Sequence, residues 1–159
     1  GLLPCLEASS PAQILNISSD TYRIASLDFD DLQLERDYNL MKAYGVSKLA
    51  ILYFTLEMAK RLESKGIAVN AVDPGPVASN ITGDNSGFLA SLARPMIRHL
   101  FPSAERAART AFWVATDPNL PGPGGYYRSM KRRDKPLDFD PRVSERLFEE
   151  TRRMLASRP

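Results

Sequence analysis

The chain has 159 residues, of which 43% are hydrophobic and 25% charged, a composition typical of one soluble globular domain. Its net charge of +2 is too small to indicate a nucleic-acid-binding protein, and no apolar run approaches the roughly 20 residues of a membrane span. Cys5 and His99 are the only cysteine and histidine, so neither a disulfide nor a metal site is predicted. We expect an intracellular, cytoplasmic protein. Because the chain begins at Gly1, a membrane anchor in a missing N-terminal part stays open as an alternative.

The first half of the chain predicts a helix between two strands. Residues 1–10 are typical of the end of a helix, the apolar run 13–18 predicts a buried strand, and the acidic stretch 20–39 predicts mostly loop. Residues 40–64 lack proline and predict a long helix whose core-facing stripe is Ile51, Phe54, Met58 and Leu62. The run 67–72 predicts a second buried strand. This βαβ unit predicts a parallel sheet covered by helices on both faces.

The second half predicts two more helices and a strand. Ser103 is typical of the N-cap of a helix that ends at Thr116. The predicted inward face of that helix consists of Ala107, Ala108, Ala111, Phe112 and Ala115. Tyr126-Tyr127 predicts a last short strand, and Asp140-Pro141 predicts the start of an amphipathic terminal helix.

Tyr44 and Lys48 lie four residues apart near the start of the long helix, so we expect their side chains on one helix face. An ammonium beside a phenol favours the phenolate form, and such a phenol can give or take a proton. From this spacing alone, a purely structural role is equally open. Tyr38 and Lys42 have the same spacing, but Tyr38 follows the loop-like acidic stretch.

Three segments are expected to meet at one edge of the sheet. Ser18-Ser19 follows the first strand and Pro74-Gly75 follows the second. Parallel strands bring these two ends to the same edge, where ligands bind in open α/β sheets, and the start of the long helix returns there. The sequence therefore predicts a site at this edge.

Three motifs in this order resemble those of the short-chain dehydrogenases/reductases. They are Ile14-Leu15-Asn16-Ile17-Ser18-Ser19, then Tyr44-x-x-Ser47-Lys48, then Val69-Asn70-Ala71-Val72-Asp73-Pro74-Gly75-x-Val77-x-Ser79. Segment 27–32 and the long interval from Ser19 to Tyr44 are similar to the retinol-dehydrogenase-like branch. Asp73 stands where relatives often have His, and Ile51 where the branch often has Asn. Neither residue touches the chemistry of the three motifs, so both bear mainly on the assignment to a subgroup.

The resemblance implies an NADP- or NAD-dependent oxidoreductase, with NADP favoured by the branch, that interconverts an alcohol and a carbonyl on a small molecule. A lipophilic substrate is one option. Tyr44 resembles the general acid/base, Lys48 the residue that favours its phenolate and binds the nicotinamide ribose, and Ser19 the serine that orients the substrate oxygen. The residues that resemble the nicotinamide-binding loop are Pro74, Gly75 and Val77, together with Ser79 beside the carboxamide.

The expected fold is α/β: the C-terminal half of a doubly wound parallel Rossmann-type sheet with flanking helices, as a single partial domain over residues 1–159. No Gly-rich turn of the dinucleotide-binding type occurs, because the cluster 122–125 follows no predicted strand. We therefore expect the isolated chain to be inactive. Two alternatives stay open. One is a non-catalytic or regulatory fragment without cofactor binding. The other is an extended-type epimerase or dehydratase, against which the Pro74-Gly75-x-Val77 loop speaks.

Overall fold

A computed structural model describes residues 1–76, 103–133 and 139–157. The elements in these ranges are α1 (Leu3–Ala8), β1 (Ala12–Ile17), a 3₁₀ helix (Asp20–Ile24), α2 (Leu40–Leu62), a second 3₁₀ helix (Glu63–Lys65), β2 (Ile67–Asp73), α3 (Ala104–Thr116), β3 (Tyr126–Arg128), β4 (Lys131–Arg132) and α4 (Pro141–Ala156). Within these ranges, no helix is both long and apolar enough to cross a membrane.

The described strands form one sheet in the order β1-β2-β3-β4. The first three strands are parallel, and β4 is antiparallel to β3. Ile17 pairs with Val72, and the Ser18 N–H donates to the Val72 carbonyl oxygen at 2.8 Å. The carboxyl ends of β1 and β2 therefore lie at the same edge of the sheet, and the predicted parallel βαβ unit is confirmed.

Helices cover both faces of β2. Val69 packs with Ala59 and Leu62 of α2 on one face, whereas Val72 packs with Val114 of α3 on the other. This alternation follows from the two-residue period of a strand. The prediction that β2 is buried is confirmed, and so are the N-caps of α3 and α4, where Ser103 and Asp140 accept N–H bonds.

β1 is less buried than its apolar sequence predicts. It lies at the end of the strand order, and among the described residues β2 is its only strand neighbour. Its side chains are half-buried, and Ile17 is 47% exposed. The prediction of a buried strand is wrong because an edge strand has a neighbouring strand on one side only.

The predicted inward faces of α2 and α3 are partly wrong. In α2, Leu52 and Thr55 are buried against the sheet, whereas Phe54 stacks with Phe148 of α4 at 6.0 Å between ring centroids. An apolar stripe in the sequence does not show which of two packing partners, the sheet or another helix, each of its residues contacts.

In α3, Phe112 is 71% exposed. Of the other predicted inward residues, Ala107 is buried, Ala111 is half-buried, and Ala108 and Ala115 are exposed. Relative to the prediction, α3 is rotated about its axis, because Trp113 and Val114 pack on Tyr127.

Gly45 lies where the first 3₁₀ helix packs against α2. A Cβ at Gly45 would lie 3.1 Å from the Thr21 carbonyl oxygen and 3.2 Å from the Ala25 Cβ. We expect Gly45→Ala to lower the free energy of unfolding by about 1–3 kcal/mol through overpacking, despite the better helix propensity of alanine. Urea unfolding measures this change. Ala43→Gly gives the size of the propensity effect nearby, and a Gly45→Ala protein more stable than the parent would contradict the close packing.

Candidate active site

Lys48 joins α2 to the end of β1. Its Nζ donates to the Ile17 carbonyl oxygen at 3.1 Å and lies 5.3 Å from the centroid of the Tyr44 ring. The buried Ser18 hydroxyl donates to the Lys48 carbonyl oxygen at 3.1 Å, which holds the same turn of the helix. The ammonium is therefore fixed at the carboxyl edge of the sheet, beside an aromatic face to which a cation is attracted.

Tyr44 lies one helical turn before Lys48, and its side chain is 44% exposed. The Lys48 ammonium above its ring places both side chains on one helix face, as their spacing predicts. A small molecule can approach the Tyr44 side chain from solvent, because so much of it is exposed.

Ser19 is the N-cap of the first 3₁₀ helix and lies two residues after the end of β1. It is half-buried, its backbone is extended, and its Oγ accepts a long 3.4 Å hydrogen bond from the Thr21 N–H. The two adjacent serines therefore differ: Ser18 links β1 to α2, whereas Ser19 lies on the loop that borders the carboxyl edge.

Pro74 and Gly75 follow β2 at the same edge. Gly75 has a φ of +75°, and among the described residues no atom beyond its chain neighbours lies within 4 Å of where its Cβ would be. Its N–H donates to Asp73 Oδ1 at 2.6 Å, so the turn is held by the last residue of β2. Val77, Ser79 and His99, which the sequence also singles out, lie outside the described residues.

Tyr38 and Lys42 do not form a second pair of the same kind. Tyr38 precedes Asn39, the N-cap of α2, and is 68% exposed. Lys42 Nζ pairs instead with the Asp37 carboxylate at 3.2 Å. Because Tyr38 lies outside the helix, equal spacing in the sequence does not give it the geometry of Tyr44 and Lys48.

Asp73 is the residue at this edge that the sequence interpretation missed. It is 3% exposed, and its Oδ2 accepts from the Asp20 N–H at 3.0 Å and from the Tyr126 hydroxyl at 3.1 Å. A buried carboxylate needs donors. An acidic residue that ends an apolar strand before a Pro-Gly turn was the sequence signal that could have identified it.

The residues at this edge fit the nicotinamide end of a dinucleotide. Of the three N–H donors of the Lys48 ammonium, one binds Ile17, and the others have no partner in the described part of the chain. Beside the Gly75 backbone, none of the described residues outside its own turn fills the space that a Cβ would take. The glycine-rich segment 122–125 leads into β3 rather than into a helix, so it does not offer a pyrophosphate the N-terminus of a helix.

Known proteins similar to this chain are dehydrogenases. A family model described as short chain dehydrogenase matches residues 1–88. Human retinol dehydrogenase 13 is 36% identical over 162 residues, 97% of this chain and 49% of that protein. Mouse retinol dehydrogenase 12 is 39% identical over 82% of this chain and 41% of its own length. Human polyprenol dehydrogenase is 33% identical, with the same two coverages. The chain thus spans about half the length of the curated relatives it matches.

Solved structures with the same arrangement of elements are more distant in sequence. An uncharacterised protein from Mycobacterium paratuberculosis has a TM-score of 0.60 at 22% identity, over 89% of this chain and 49% of its own. An NADPH-bound short chain oxidoreductase from Pseudomonas aeruginosa has a TM-score of 0.53 at 22% identity, over 82% of this chain and 50% of its own. At these identities the likeness concerns the fold alone.

Proposed function

Because the chain belongs to the short-chain dehydrogenase family, in the branch of the retinol dehydrogenases, we propose that it carries the proton-transfer part of an NAD(P)-dependent oxidoreductase site. The reaction interconverts an alcohol and a carbonyl. The observation that carries this proposal is the contact of the Lys48 ammonium with both the Tyr44 ring and the Ile17 carbonyl oxygen at the carboxyl edge of the sheet.

Each residue of the proposed site has a distinct task. When bound, the nicotinamide cofactor supplies or accepts the hydride. The Tyr44 hydroxyl gives a proton to the carbonyl oxygen during reduction, and the Tyr44 phenolate takes one from the alcohol during oxidation. The Lys48 ammonium stabilises the phenolate that remains after proton donation. The Ser19 hydroxyl donates to the substrate oxygen and so orients it.

The proposed cofactor-binding residues come from α2 and from the turn after β2. Lys48 offers its remaining N–H donors to ribose hydroxyls, and the Tyr44 ring lies on the same helix face. Pro74 and Gly75 contribute backbone at the same edge, and because Gly75 has no Cβ, a flat ring can approach that backbone closely. The family resemblance adds Val77 and Ser79 to this loop.

The substrate that we propose is a lipophilic alcohol or its aldehyde. The support is chemical: the similar curated proteins are named for retinol and polyprenol, both of which are lipophilic alcohols. We propose NADPH ahead of NADH because the branch that the chain resembles favours it. The groups that would select between the two cofactors lie in the part of the relatives that this chain does not match.

A chimera tests this function directly. In it, the chain replaces the segment that it matches in human retinol dehydrogenase 13. We expect NADPH consumption, followed by its absorbance, that depends on added retinal or on a long straight-chain aldehyde. A folded chimera that binds NADPH but consumes none with either aldehyde would contradict the proposal.

A second candidate is a regulatory or otherwise non-catalytic role for the isolated chain. The chain matches 49% of the length of retinol dehydrogenase 13. This favours the second candidate, because half of a cofactor site cannot hold a dinucleotide well unless the other half comes from elsewhere. The chimera distinguishes the two, because only the enzymatic proposal predicts aldehyde-dependent NADPH consumption once the rest of the site is supplied.

A further inference from the structure

One buried carboxylate contacts both loops that border the proposed site. Asp73 Oδ1 accepts from the Gly75 N–H at 2.6 Å, and Asp73 Oδ2 accepts from the Asp20 N–H at 3.0 Å. Asp20 is the residue after Ser19, and Gly75 lies on the proposed cofactor loop. The two loops belong to different strands, so Asp73 is a direct polar link between them.

β3 supplies side chains that hold this carboxylate. The Tyr126 hydroxyl lies 2.8 Å from Asp20 Oδ1 and 3.1 Å from Asp73 Oδ2, and Tyr126 is 1% exposed. The Arg128 guanidinium contacts the Asp20 carboxylate, and its Nε lies 3.7 Å from Asp73 Oδ2. Burial, and then the Asp73 carboxylate, raise the pKa of the Tyr126 phenol, so Tyr126 remains a hydrogen-bond donor at working pH.

The charges explain why these groups hold a single arrangement. Two carboxylates share the one proton of the Tyr126 hydroxyl, and their mutual repulsion is offset by the positive charge of Arg128. A buried carboxylate that loses a donor is costly. Movement of any one donor away from Asp73 would therefore raise the free energy of the folded chain, and this keeps the donors in place.

We propose that Asp73 is a positioning residue that sets the separation of Ser19 from the Pro74-Gly75 turn. The inference rests on the proposed function, because it assigns these two loops to the substrate and the cofactor. Asp73 itself is buried beneath them and acts through their backbone N–H groups.

Asparagine at this position is the sharpest variant. It has the shape of aspartate, but only one of its two terminal atoms accepts hydrogen bonds. In either orientation, its NH₂ group faces the N–H of Gly75 or of Asp20, and that link is lost. Tyr126→Phe is the complementary variant, because it removes the hydroxyl and leaves both backbone links.

The kinetic test compares Asp73→Asn with Asn70→Ala in the chimera. Asn70 is also buried in β2 and accepts from the Gly125 N–H at 2.9 Å, outside the proposed site. We expect Asp73→Asn to lower kcat/KM about tenfold to a hundredfold by misplacing the reacting groups. We expect Asn70→Ala to lower Tm and leave kcat/KM unchanged. We expect the kcat/KM of Tyr126→Phe to lie between the values of those two variants.

Amide hydrogen exchange gives a readout that does not depend on turnover. We expect faster exchange at Asp20 or at Gly75 in Asp73→Asn, and no change at either residue in Asn70→Ala. Unchanged exchange at both residues overturns the inference, and so does an unchanged kcat/KM in an active chimera. If the parent chimera is inactive, the proposed function fails, and the exchange data still decide whether Asp73 links the loops.

Discussion

Tyr44→Phe in the chimera is expected to lower kcat by about 10²–10⁴-fold, the usual contribution of a general acid–base group. Phenylalanine keeps the ring that the Lys48 ammonium contacts at 5.3 Å, but it has no hydroxyl to give or take a proton. NADPH binding should remain close to that of the parent, because Lys48 and the Pro74-Gly75 turn are unchanged. Steady-state kinetics with a lipophilic aldehyde and a titration of NADPH by fluorescence measure the two effects separately.

Tyr38→Phe is the matched control for that variant. Tyr38 has the same spacing from Lys42 as Tyr44 has from Lys48, but it precedes α2, and Lys42 pairs with Asp37. We expect unchanged turnover in Tyr38→Phe. Near-normal turnover in Tyr44→Phe, together with a loss in Tyr38→Phe, would show that the acid/base had been assigned to the wrong tyrosine.

The central βαβ unit could be predicted because its local signals agree with its tertiary environment. β2 is apolar throughout and buried on both faces, and α2 ends before Gly66, whose φ is +68°. Burial within the helices was predicted less well. Phe112 is apolar yet exposed, and Thr55 is polar yet buried, where its Oγ1 accepts from Asn16 Nδ2 at 2.9 Å. Whether an apolar residue is exposed or a polar residue is buried depends on what the helix packs against, which hydrophobic periodicity does not identify.

The β3–β4 hairpin could not be predicted from turn chemistry. Its two turn residues, Ser129 and Met130, have φ of 53° and 55°. Two-residue hairpins need positive φ and usually take Asn or Gly at these positions, so the sequence lacks the usual signal. β4 itself is Lys131–Arg132, which has no apolar residue to indicate a strand.

The position of the candidate site is easier to predict from the sequence than the hydrogen bonds that hold its loops together. Parallel strand ends must share an edge, so the sequence alone predicts that Ser19 and Gly75 lie near each other. The link between them is the Asp73 carboxylate, which accepts from the Asp20 and Gly75 N–H groups and also from Tyr126, 53 residues away along the chain. No local pattern connects residues so far apart, and for this reason the sequence does not predict that Asp73 links the two loops.

The isolated chain is expected to show no NADPH binding at micromolar concentrations and to self-associate. Binding fails because a pyrophosphate needs a glycine-rich turn at the N-terminus of a helix, and the segment 122–125 leads into a strand. Association follows from β1, because an unpaired strand edge can pair with another chain. Nicotinamide fluorescence and light scattering measure the two properties, with the chimera as the positive control for binding.

The direction of the backbone bonds in β1 gives a sharper version of this prediction. The N–H groups of Ala12 and Ser18 donate to the carbonyl oxygens of Gly66 and Val72, so even-numbered residues of β1 bond toward β2. Odd-numbered residues, such as Gln13, then direct their N–H groups to the opposite edge. That edge has no strand beside it in the described ranges.

Proline variants separate the two edges of β1. Gln13→Pro removes a donor from the open edge and no bond to β2, so we expect a folded chain that associates less. Ile14→Pro removes a bond to β2 and should unfold the chain. Equal association in Gln13→Pro and the parent would assign self-association to another surface. Micromolar NADPH binding by a monodisperse isolated chain would contradict the proposal that half of the dinucleotide site comes from elsewhere, because the cofactor would then be held without a helix N-terminus at its pyrophosphate.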